Sequence, residues 1–404
     1  MVRRAGLVAA WSLVLVVAAG AALADEARRV APEVLAAIVD DDPNPLPRSL
    51  APFEVGLPIP VPDPSRLPDP PAGLVDTPAE YERNEGLLIR WGSFNSVLTA
   101  MTVGITTGDP EAVVYIVVTG SSQQASATST LQSAGADLGQ VQFITYTTNT
   151  VWIRDYGPRF ICEDDHRAIV DHIYNRPRPL DDAFPGFLAT LWGEPRYDLP
   201  LEHGGGNFHL FADSEAFMSE LVLTENPGLT AQQVEDLYAA YQGLDLTITD
   251  ALPTWFDSTQ HIDMWMLPVS NREVIIGEYA AGTAANTVTE AWVTELQSRG
   301  YTVHRTPGWS SGGTHYTYTN AVVFNDLVFV SEFDGYATEN AQALAVYQAA
   351  FPGHQVIPVN CSEIIVYAGA IHCVVMHVPV LVPVPLFADD FESGTLAAWS
   401  VAMP

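Results

Sequence analysis

The sequence predicts an α/β fold: a ring of five repeated units closed by its own C-terminus. Three observations predict it. A strand, a second strand, an amphipathic helix and a third strand recur between residues 78 and 380, at a spacing of about 55 residues that falls near the range of repeat architectures. Residues 363–378 form a last strand pair with no helix after it, suited to complete the first unit. The unusual polar residues fall at one phase of every round, at or beside its first strand.

Taken in order, Met1-Val2-Arg3-Arg4 is followed by an uncharged run that ends in Ala22-Leu23-Ala24. A basic start, an apolar middle and small residues before a cut predict a signal peptide over 1–24, cleaved after Ala24, and a secreted or periplasmic protein with no membrane contact thereafter. From 25 to 77 prolines recur without helical or alternating pattern, as in Pro58-Ile59-Pro60-Val61-Pro62. This predicts an arm or linker lying on the domain surface. The catalytic domain is expected over 78–380, and 381–404 is a tail too short to fold alone.

The first round places strands at 87–89, 113–118 and 141–144 with a polar helix before the last. The second starts at 151–153 and continues at 168–170. The third has strands at 207–211 and 244–248 around a helix at 231–241. The fourth has strands at 261–267, 273–276 and 301–303 around a helix at 287–298. The fifth has strands at 316–324, 327–330 and 355–359 around a helix at 339–350.

The chain has 404 residues, 48% of them hydrophobic and nine of them tryptophan, ample for a large core. Its formal net charge of −31 argues against nucleic acid and anionic membranes, which require Lys/Arg patches, and favours cationic ligands. Three cysteines exclude a disulfide scaffold. A Cys162–Cys361 pair would leave Cys373 as a free thiol. Nothing in the sequence fixes the oligomeric state.

The residues at the shared phase are Arg154-Asp155-Tyr156-Gly157-Pro158, His203-Gly204-Gly205-Gly206-Asn207, His261-Ile262-Asp263, Thr319-Asn320 and His372-Cys373. In a ring, equal phase means equal distance from the axis, so these groups converge on one cleft. Singly each has a plain reading. Asp155 suits a surface ion pair or turn cap, the triple glycine a tight turn, and Cys373 an inert core thiol entering a strand. His261 and Asp263, two apart on a predicted strand, suit a metal site, a base with its orienter or a satisfied polar pair. Together, two carboxylates and a histidine facing a thiol suit a planar cation, since each carboxylate accepts two N–H donors of a guanidinium in fork geometry.

At this point the sequence resembles the guanidine-modifying (pentein) enzymes, in particular bacterial Porphyromonas-type peptidylarginine deiminases and agmatine deiminases. The resemblance rests on Trp152-Ile153-Arg154-Asp155-Tyr156-Gly157-Pro158, Gly205-Gly206-Asn207, His261-Ile262-Asp263, Tyr318-Thr319-Asn320 and Gly369-Ala370-Ile371-His372-Cys373. It implies a five-bladed α/β propeller built from ββαβ units. It further implies Cys373 as nucleophile, His261 as general acid and base, Asp155 and Asp263 as guanidinium ligands, Asn320 as an orienting group, and Trp152, Gly206 and Asn207 as part of the substrate pocket. The reaction implied is hydrolysis of a guanidinium to a ureido group and ammonia, with no metal or other cofactor.

Within the resemblance, Tyr174-Asn175-Arg176-Pro177-Arg178-Pro179 is similar to peptidylarginine deiminases. Two arginines stiffened by prolines suit a carboxylate, in particular that of a C-terminal arginine. The expected partners are arginine-containing peptides or proteins, with a small guanidine such as agmatine as the alternative. Gly204 stands where agmatine deiminases commonly carry an acid. The rivals are a papain-like protease using Cys373 and His261, a metal hydrolase drawing on His261, Asp263, His315, His372 or His377, and a non-catalytic arginine-binding module.

Overall fold

A computed structural model describes residues 45–59 and 69–384. The predicted leader and most of the tail lie outside the described residues. Five sheets form a five-bladed α/β propeller. The first blade runs in the order Val375–Pro379, Asn84–Arg90, Val113–Val118, Val141–Thr145, so the last strand of the domain is the innermost partner of an early one. The second has Val75–Asp76, Arg159–Glu163, His166–Tyr174 and Arg196–His203; the third Asp245–Thr249, Glu215–Ser219 and His209–Leu210. The fourth has Met266–Ser270, Glu273–Glu278, Thr302–Ser311 and Thr314–Thr317, and the fifth Val322–Phe324, Leu327–Glu332 and Gln355–Asn360.

Each blade pairs its first two strands antiparallel and then crosses through helix to a parallel strand. Parallel central strands are covered on both faces, which is why Val113–Val118 and Leu327–Glu332 read as nearly continuous apolar runs. The crossover helices are delimited by their own chemistry. Ala231–Gln242 starts at a capping box between Thr230 and Gln233 and ends at left-handed Gly243. Its apolar face, Val234, Tyr238 and Tyr241, packs into the core of the second and third blades.

The structure corrects several expectations. A helix, Asn95–Gly108, lies between the first two parallel strands and is invisible to propensity because it is rich in Thr, Val and Gly. Packing of Val97, Leu98, Met101 and Ile105 holds it. The predicted strand starts at 151–153, 207, 261–265 and 318–321 are not strands. In three of these rounds a single helical turn, Ile153–Tyr156, Gly205–Asn207 or Ile262–Met264, precedes the strand, and His372–Val374 does the same for the closing strand. His261 and Asp263 therefore share a turn, not a pleat. Strand Val75–Asp76 joins the second blade, so the ordered domain starts before residue 78. Cys162 and Cys361 are both buried and unpaired, as is Cys373. Among the described residues no helix is long and apolar enough to cross a membrane.

Candidate active site

The one-turn helices are what aim the site. Each sits at the axial end of its blade and packs on its neighbours, so residues more than two hundred positions apart meet. Asp155, His261, Asp263, Asn320 and Cys373 all lie there, buried to within 1% of complete. Gly206 donates its N–H to Asp155 Oδ1 at 3.1 Å. A Cβ at this position would lie 2.8 Å from a carboxylate oxygen of both Asp155 and Asp263, so only glycine lets the two acids approach a common ligand.

That common ligand is supplied by the chain itself. Arg48, in the proline-rich arm, reaches into the centre of the ring, and its guanidinium lies between Asp155, Asp263 and His261. Nε and Nη2 donate to Asp155 at 2.8 and 2.9 Å. Nη1 and Nη2 donate to Asp263 at 3.1 and 2.9 Å. Nη2 also lies 2.7 Å from His261 Nδ1. Two forked carboxylates on one planar cation is the arrangement the residue types called for. The arm was expected on the surface, and Arg48 was not anticipated.

The electrostatics follow from this cage. Burial alone would raise both acids, but Arg48, with His261, holds Asp155 well below the usual carboxylate range, and Arg48 with His372 does the same for Asp263. Burial and the Arg48 charge lower His261. Nη2 spends both of its hydrogens on the two carboxylates, and His261 Nδ1 also lies 3.5 Å from Asp155 Oδ1. Burial pushes the Cys373 thiol up, while Arg48 pulls it back down, so a bound guanidinium favours the thiolate.

Asn320 holds the turn that bears Cys373. Its Oδ1 accepts from the N–H groups of Ala370 and His372 at 3.2 and 3.1 Å, and its Nδ2 lies 3.1 Å from Cys373 Sγ. Asn207 does not reach the ligand: its amide is consumed by Ser219 and the N–H of Ile262, so it positions the turn bearing His261 and Asp263. Trp152 lines the arm, donating its indole N–H to Leu46 O at 2.9 Å.

Arg176 and Arg178 flank the guanidinium, but what they hold is not a chain terminus. Arg176 Nε donates to Arg48 O at 3.2 Å. Arg178 forms a fork with Glu54 at 2.8 and 2.9 Å and donates to the carbonyls of Pro47 and Ser49. The expected terminal carboxylate is replaced by a glutamate side chain and main-chain oxygens, because the polypeptide continues on both sides of Arg48.

Glu80 was also missed. It accepts from His372 Nε2 at 2.9 Å and pairs with Arg154, while His372 Nδ1 meets Asp263 Oδ2 at 2.9 Å. Glu80 thus braces Asp263 from behind. Glu80, His209 and His372 have metal-ligand spacing, yet His372 spends both ring nitrogens on carboxylates and His209 binds Met266 O. His315 and His377 are engaged elsewhere, with Asp257 and Val323 O.

Residues 76–379 match the model of the Porphyromonas-type peptidyl-arginine deiminase family. The chain belongs to that family. As a member it is a hydrolase of C–N bonds in linear amidines. A protein of Shewanella baltica that carries the provisional name of an agmatine deiminase is 26% identical over 59% of this chain and 76% of its own length. One of Latilactobacillus sakei, similarly named, is 25% identical over 59% and 78%. Among solved structures, the agmatine deiminase of C. jejuni with substrate bound matches with a TM-score of 0.67 at 17% identity, covering 76% of this chain and 97% of that one. A Porphyromonas gingivalis protein, provisionally called an arginine deiminase, matches at 0.65 and 19%, covering 76% and 98%. These structural likenesses concern the fold.

Proposed function

We propose that this protein deiminates arginine side chains within polypeptides, giving peptidyl-citrulline and ammonia. The observation that carries the reading is Arg48: a guanidinium seated on Asp155 and Asp263 while the main chain on both sides of it is bound by Arg176, Arg178, Trp152 and Tyr367. A pocket that admits an arginine with its flanking peptide is a pocket for peptidyl-arginine.

In the proposed cycle Cys373 Sγ bonds to the guanidinium carbon. The thiol proton passes through His261 to the nitrogen that leaves, the C–N bond breaks and ammonia departs. Water then gives a proton to neutral His261 and adds to the same carbon. The C–S bond breaks, the thiol is restored, and a ureido group remains. In sum, one guanidinium and one water give one ureido group and one ammonium. Asp155 and Asp263 hold the cation planar and in register with the sulfur, and Asn320 orients Cys373.

A second reading, hydrolysis of agmatine, is favoured by the names its sequence relatives carry. Agmatine has no main chain for Arg176 and Arg178 to grip. Peptides with internal arginine, peptides with C-terminal arginine, agmatine and free arginine, each scored for ureido product and ammonia, separate the readings. A kcat/KM highest for internal arginine is expected. A preference for agmatine would replace the peptidyl reading. We further propose export, on the basic and apolar leader. N-terminal sequencing of the mature protein should begin at Asp25, and retention of Met1 would refute it.

A further inference from the structure

We propose that residues 46–54 form a built-in pseudosubstrate: they occupy a peptide-binding subsite and keep the pocket closed until the arm is displaced or cut. The proposal rests on the reading of the site as a guanidine hydrolase, and adds that the protein restrains itself.

The contacts are those of a ligand, not of a passing linker. Arg48 is fully buried, and its three guanidinium nitrogens make four hydrogen bonds to two carboxylates. Its N–H donates to Tyr367 O at 2.9 Å and its carbonyl accepts from Arg176. The carbonyls of Leu46, Pro47 and Ser49 accept from Trp152 and Arg178. Six residues beyond Arg48, Glu54 closes the seat with its buried fork to Arg178, and also accepts from Ala51 N–H at 2.7 Å, which curls the arm over the pocket.

The seated arm also withholds the second half of the reaction. With Arg48 in place Cys373, His261 and Asp263 have no exposed surface, so the water that must hydrolyse a covalent intermediate has no path to the carbon. The segment is held but not turned over. Beyond the seat, Phe53 and Val55 project into solvent, 55% and 69% exposed, where a protease or a competing surface finds them. A tethered arm competes at an effective concentration on the order of millimolar, so a free peptide at micromolar concentration is outcompeted by roughly a hundredfold or more.

The test compares the full-length wild type with Arg48→Ala and Glu54→Gln, on an arginine peptide and on agmatine. Arg48→Ala is expected to raise kcat/KM by about 10²-fold, and Glu54→Gln, which loosens only the far end of the seat, by less. A synthetic peptide of residues 45–57 should inhibit Arg48→Ala, and the same peptide with alanine at position 48 should not. Independently of turnover, agmatine should raise the melting temperature of Arg48→Ala but not that of the wild type. Equal activity of wild type and Arg48→Ala overturns the proposal, as does mass-spectrometric detection of citrulline at position 48 in a fully active wild type, which would make the arm a substrate. If Arg48→Ala and Glu54→Gln fold yet release ammonia from no guanidine, it is the functional reading that fails, and the pseudosubstrate falls with it.

Discussion

The two sides of the His261 ring differ sharply. On the Nδ1 side Arg48 Nη2, Asp155 and Asp263 form a closed cage. On the Nε2 side the partners are missing. His261 Nε2 is buried without a partner, as are Asn175 Oδ1 and Glu225 Oε2, while Asn175 Nδ2 donates to the other oxygen of Glu225. Gly204 packs directly on this side of the ring. A Cβ there would lie 2.7 Å from His261 Cε1 and 3.2 Å from Asn175 Oδ1. Binding is thus saturated with partners on one side of the ring, while the nitrogen on the other side keeps its hydrogen-bonding capacity free.

The largest effect expected is on the closed side. Asp155→Asn or Asp263→Asn, made in the Arg48→Ala background so that the arm does not compete, sets an amide donor against a guanidinium donor. It should cost about 10³-fold in kcat/KM, roughly 4 kcal/mol. Near-native kinetics would break the cage argument. On the open side Gly204→Ala should displace the imidazole and lower kcat about 10²-fold, with little change in KM. A variant that raises KM alone would show that this side of the ring serves binding instead.

The comparison sharpens with pH. Because the bound cation favours the thiolate, ultraviolet titration of Cys373 should reach its midpoint at lower pH with Arg48 seated than in Arg48→Ala. No displacement, or one in the opposite sense, contradicts the coupling. The smallest effect belongs to Glu225, which burial pushes up to about 8 against the opposing pull of Arg176. A raised folded value means its stabilising contribution is complete below the unfolded value of about 4.3 and is lost as pH rises through 8. Glu225→Gln should therefore raise the melting temperature at pH 8 and leave it nearly unchanged at pH 4, a gain of about 1 kcal/mol after allowing for its partial exposure. Equal melting curves at pH 8 would remove Glu225 from the open side.

What was legible in the sequence was the phase of the repeat and the residue types gathered there. Asp155, His261, Asp263 and Cys373 stand beside glycines or at strand starts, and a ring converts shared phase into proximity. The turns that carry them were read as strands because a single helical turn has no period to detect, and their β-branched and aromatic neighbours belong to the strand that follows. Asn207 looked like a ligand group because its role is spent on Ile262, a contact that only the fold creates. Glu80 lies ahead of the first strand without any local signature. Arg48 sits among prolines with no pattern. The one available hint was a cation in a segment facing a strongly acidic domain.

The first blade is completed by the strand directly after Cys373, with Val375 pairing Ile89. Placement of Cys373 and ring closure are therefore one event in the folding of the molecule. A chain still being synthesised has Asp155, His261 and Asp263 before it has either Cys373 or the strand that draws the circle shut, so the cluster assembles only when the ring does.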